Sequence, residues 1–110
     1  MTRPVDRGVN QVSSRKRVNE LVYTAHALRQ MFARSISPDA VRHVVEEGEI
    51  IASYDDDTPH PSILLVGFQE NNPLHGLLAY NGKTDTGYVV TTYVPDPAIW
   101  SDDFRTRRPQ

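Results

Sequence analysis

Cysteine is absent from the 110 residues, which excludes disulfide staples and thiolate metal sites. No apolar run approaches the roughly 20 residues needed to cross a bilayer. The opening MTRPVDRG has no apolar signal core. These absences read as a cytoplasmic chain with no membrane contact, folded by its hydrophobic core alone. Strong catalytic signatures are missing too: there is no phosphate-binding glycine loop, dinucleotide fingerprint, HExxH or nucleophile elbow. DDDTPHP gathers Asp55, Asp56, Asp57 and His60, but without the spacing and distal glutamate of a calcium loop it reads as a solvated turn. No cofactor and no metal is implied.

Positive charge is scarce in the middle of the chain and concentrated at its ends. Positions 18 to 104 hold 4 basic residues (Arg29, Arg34, Arg42, Lys83) against 13 acids, so this body is near −9. Residues 1–17 carry Arg3, Arg7, Arg15, Lys16 and Arg17 against Asp6, and 105–110 add Arg105, Arg107 and Arg108. The expected organisation is a mobile basic arm (1–17), one α+β domain (18–104) and a basic tail (105–110). Such ends either hold nucleic acid through phosphate neutralisation or are simply solvated termini. The acidic body weighs against a broad nucleic-acid face.

Apolar content of 38% with 24% charged residues suits an ordinary single domain. From Val18, the residues Leu21, Val22, Ala25, Leu28 and Phe32 keep helical spacing, although Val22-Tyr23-Thr24 also suits an extended segment. Thr24 fits an N-cap, which would start the helix at Ala25. SISPDAVRHVVEEGE reads as a second helix: Ser37 caps, Pro38 takes the first position, and Asp39 meets the positive end of the dipole. Val41, Val44 and Val45 make its buried stripe, and Gly48 is expected to end it in the left-handed conformation.

Beyond Gly48 the period becomes that of strands. EIIASY, SILLVGFQ, LHGLLAYN and GYVVTTYV are separated by DDDTPHP, ENNP and GKTDTG, short separators rich in turn residues that favour antiparallel neighbours. The expected fold is therefore α+β: two N-terminal helices packed on one face of a four-stranded antiparallel sheet, with the second face left available. Trp100 and Phe104 are expected to fold back onto the core edge. His43 and His60 read as surface residues, and Tyr54 as a packing residue at the rim.

Five residues stand out. His75 shares a strand face with Leu77 and Ala79; Thr91 and Tyr93, two apart, share another. His26 and Arg34 lie eight apart, roughly 80° and 12 Å along a continuous helix. The bland reading of either histidine is a half-buried side chain satisfied by one hydrogen bond.

T-A-H-A, Arg34, Ile36-Ser37, Gly48-Glu49, Tyr54-Asp55-Asp56, Pro61-Ser62, Pro73-Leu74-His75 and T-x-Y-x-P-D before Trp100 occur in this order. Together, from about Tyr23 to Phe104, they resemble the bacterial family catalogued as domain of unknown function 4258. The resemblance implies a distant likeness to the MqsR, RelE and BrnT messenger-RNA-cleaving toxins, a RelE-like fold, and a zinc-finger antitoxin and RNA as partners.

It makes the expected function a toxin-like, metal-independent ribonuclease of a bacterial toxin–antitoxin pair. Metal-free RNA cleavage needs a base for the 2′-hydroxyl, an acid for the leaving oxygen and a cation for the phosphorane. His26 and His75 would share the proton roles, since unperturbed histidine titrates near 6.5. Arg34 would bind the phosphate, while Tyr93 and Thr91 position it. The alternative is a non-catalytic protein-interaction module of the same fold, docking through a sheet face or an edge strand.

Overall fold

The computed structural model describes residues 18–109; the arm expected at 1–17 lies outside them. Strand β1 (Glu20–Tyr23) leads into helices α1 (Ala25–Arg34) and α2 (Pro38–Glu47). Strands β2 (Glu49–Tyr54), β3 (Ser62–Gln69), β4 (Asn72–Asn81) and β5 (Thr86–Tyr93) follow. The last four pair antiparallel in chain order, as the short turn-rich separators require.

The sheet nevertheless has five strands and is mixed, in the order β1-β5-β4-β3-β2. The extra strand is the segment whose helical spacing competed with its β-branched content. Leu21, Val22 and Tyr23 pair with Gly87, Tyr88 and Val89 in parallel, closing the edge of β5. Thr24 then switches the chain from strand to helix. Its N–H donates to the Val89 carbonyl at 3.1 Å, and its hydroxyl accepts from the Ala27 N–H at 3.1 Å as a true N-cap.

The buried face of α1 is not the stripe read from Val18. Ala27 and Met31 are its buried residues, while Leu28 is 50% and Phe32 92% exposed. With Val41, Val44 and Val45 of α2, Ala27 and Met31 form one core against Leu65, Leu74, Leu78 and Val89 of the sheet. Each fully buried aliphatic side chain there contributes about 1.5–3 kcal/mol.

α2 ends at Gly48, but not in the left-handed conformation: φ is −73° and ψ 167°. Glycine is needed because of crowding. A Cβ there would collide with the Val44 carbonyl oxygen of the preceding turn and lie 2.9 Å from the Val66 carbonyl oxygen of β3. The chain thus passes directly from helix to sheet.

The second sheet face is not left free. After β5 the chain crosses it, burying Trp100 and bringing Phe104 to 6.4 Å from Phe68, centroid to centroid. Arg105 reaches back to Glu49 at 2.8 Å, and Arg108 pairs with Asp102 at 2.9 Å. Arg105 thereby ties this segment to the start of β2, while residues 106–109 stay exposed.

Candidate functional site

Strand alternation decides where His75 goes. Its neighbours Leu74 and Gly76 face the helices, so His75 faces the opposite side. There it is fully buried. The register sets it opposite Tyr93, whose hydroxyl lies 3.2 Å from Nδ1. Nε2 lies 2.8 Å from the Phe104 carbonyl oxygen. A carbonyl only accepts, so Nε2 carries the proton and donates, and Nδ1 accepts from the tyrosine hydroxyl. Trp100 packs edge-on against the ring at 4.5 Å between centroids, and Thr92 donates to the His75 carbonyl at 2.7 Å.

Burial lowers the pKa of His75, the Phe104 bond opposing it in part. This keeps the ring neutral. Burial likewise raises the Tyr93 pKa; Tyr54 adds to the rise and Arg107 opposes it. Thr91 is half-buried on the same face, two residues before Tyr93.

His26 and Arg34 are both exposed, near the start and at the end of α1 on the helix side of the sheet. The five sequence-derived residues therefore divide. His75 and Tyr93 touch, with Thr91 on their face, whereas His26 and Arg34 lie in the other layer. The expected His26–His75 acid–base pair does not form, because the sheet separates the two side chains. Among the described residues no group of three or more His, Asp or Glu side chains could hold a metal ion. Asp57 of the DDDTPHP turn instead accepts the Ser62 hydroxyl, and His60 stacks on Tyr88.

The prominent surface feature lies on α1. Leu28 and Phe32, one turn apart, stand on the same flank of the helix. With Met31, Ile36 and Pro38 they line a shallow, open apolar depression between α1 and the start of α2. A cavity of about 220 Å³ shares Ser35, Ile36 and Ser37 with it and continues beneath α2 toward Gly67 and Leu74. The turn is held by Ser35 in the left-handed conformation, φ 56° and ψ 41°, its N–H directed at the carbonyls of Met31 and Phe32.

Arg29 sits three residues before Phe32, whereas Arg34 is roughly 160° around the helix from it. The depression and the His26–Arg34 pair thus occupy different flanks. Ala27 and Met31 turn inward on α1 and Leu28 and Phe32 turn out; no local signal in the sequence marks that choice.

The family described as Domain of unknown function (DUF4258) matches residues 23–94. No curated protein matches the chain, and no solved structure does.

Proposed function

We propose that this chain, which belongs to the DUF4258 family, is a protein-interaction module that docks through the exposed apolar flank of α1. The observation that carries this reading is Phe32. A phenylalanine 92% exposed, one turn from a half-exposed leucine and lining an open apolar depression, keeps a large hydrophobic area in water. Burying such an aromatic contributes about 1.5–3 kcal/mol, and aromatic anchors seated in pockets dominate protein interfaces. His75 supports the same reading from the other side of the sheet. A ring whose two nitrogens are both engaged inside the fold serves packing, not proton transfer to a substrate.

The test is a photo-reactive amino acid placed in the full chain at position 32, or at the exposed Lys83 as a control, in its native host. Cross-links from position 32 and none from position 83 are expected. Equal cross-linking from both, or none from position 32, contradicts the reading.

One observation favours a second reading, the toxin-like ribonuclease. His26 and Arg34 are exposed on α1 without an ion-pair or hydrogen-bond partner among the described residues. Such an enzyme would use His26 for proton transfer and Arg34 for the phosphate, with His75 confined to the scaffold. A zinc-finger antitoxin would then be its partner.

A further inference from the structure

The cavity beneath α2 is of a different kind from the open face of α1. At about 220 Å³ it is smaller than the roughly 300–1,000 Å³ pockets that take drug-sized ligands. Its interior is apolar: Ile36 of the turn between the helices, Val44 of α2, Gly67 of β3 and Leu74 of β4. Val44, Gly67 and Leu74 are buried and Ile36 is half-buried.

The rim is polar and carries no fixed charge. His43 of α2, Gln69 at the end of β3 and Asn72 at the start of β4 line it, and no Asp, Glu, Lys or Arg does. None of these three side chains has a hydrogen-bond or ion-pair partner among the described residues.

The hairpin sets two of the three side by side. Gln69 pairs with Asn72 in the strand register, across a two-residue turn whose Glu70 and Asn71 have φ of 51° and 72°, the backbone of a tight hairpin. Gln69 lies two residues from Gly67 and Asn72 two from Leu74, so both share the sheet face that meets α2. Two carboxamides thus stand on one wall, with an imidazole on the helix side.

That lining selects by chemistry. A charged ligand would leave water for a site with no countercharge, which is costly. A purely aliphatic one would cover the carboxamides and the imidazole without replacing their hydrogen bonds to water. A neutral heterocycle satisfies both demands, with apolar faces for Ile36, Val44 and Leu74 and an edge that carries a donor next to an acceptor. Carboxamides match such an edge two bonds at a time, as Asn and Gln do with the N6 and N7 of adenine.

We infer that this cavity binds a purine base, its edge read by the carboxamides of Gln69 and Asn72 and its ring lodged between His43 and the apolar interior. The base arrives free or as part of a nucleotide, whose phosphate would stay outside the uncharged lining. This site is separate from the docking surface, since neither Leu28 nor Phe32 lines it.

Adenine titrated to about 5 mM into the isotope-labelled full chain, followed by amide NMR shifts, tests it over the range of weak small-ligand affinities. Saturable shifts are expected in residues 35–44 and 67–74. Gln69→Leu and Asn72→Leu should each weaken adenine about tenfold. Both side chains are exposed, so the circular dichroism spectrum and Tm should not change. Indole, similar in size but without the acceptor nitrogens, should bind at least about tenfold more weakly. Adenosine monophosphate binding as tightly as adenine would identify a nucleotide as the source, and its exclusion would identify the free base; the site stands in both cases. Absence of saturable shifts with adenine, shifts centred elsewhere, equal binding of indole, or adenine affinity indifferent to both substitutions would each overturn it.

Discussion

His75 and Tyr93 face each other across β4 and β5, the ring Nδ1 3.2 Å from the phenolic oxygen, beneath a segment whose Phe104 carbonyl accepts from the other ring nitrogen. Two strands and the C-terminal crossing are thereby joined at one imidazole. Phe104 itself has a positive φ of 62°, uncommon for a bulky residue. Its hydrogen bond to His75 and its ring contact with Phe68 hold it in that conformation.

Replacing His75 with alanine removes the ring that Trp100 packs against and leaves two partly buried polar groups, the Tyr93 hydroxyl and the Phe104 carbonyl, without their partner. The expected loss is about 3 kcal/mol of unfolding free energy in urea. A change below about 0.5 kcal/mol would mean that the crossing segment is not anchored there.

The same residue sets a pH dependence. Its folded pKa lies below the unfolded value near 6.5, so the unfolded chain takes the proton first as pH falls. The His75 contribution to stability is full above about pH 6.5 and declines as pH drops from there toward the folded pKa. The stability gap between wild type and His75→Gln should therefore narrow between about pH 7.5 and pH 5.5. A constant or widening gap would contradict a buried neutral ring.

Gly48 gives a prediction about packing. Gly48→Ala places a methyl against the carbonyl oxygens of Val44 and Val66, backbone atoms that move only if α2 lifts from β3. A loss of about 1–3 kcal/mol is expected. Gly82→Ala should be nearly neutral by comparison, since its Cβ would meet only the Tyr80 ring at an ordinary 3.6 Å. Equal melting temperatures for the two variants would show that the helix-to-sheet passage is not tight.

Much of this fold was legible because its signals are local. Ser37, Pro38 and Asp39 mark the start of α2, and the alternation from Glu49 onward marks β2 to β5 within a residue or two at each end. β1 was hidden by its length. Four residues cannot separate a strand period from a helix period, and their pairing partner lies 66 residues away. On α1 the sheet took the Ala27–Met31 face, leaving Leu28 and Phe32 on the surface where core was expected.

The candidate site was legible only in part. His75 and Tyr93 do meet, because strand register can be followed along a meander. His26 and His75 share neither strand nor helix, and nothing local shows on which side of a sheet a helix lies. The crossing of residues 95–109 over the second face is a long-range event of the same kind. It depends on Trp100 and Phe104 finding His75 and Phe68, for which the sequence has no short-range mark.

The most direct measurement is incubation of the purified full chain with single-stranded RNA in EDTA, beside His26→Ala and Phe32→Asp. The expected result is intact RNA with all three proteins. RNA cleaved by the wild type, with a rate about 10²- to 10⁴-fold lower in His26→Ala and unchanged in Phe32→Asp, would contradict it and place the function in proton transfer from α1.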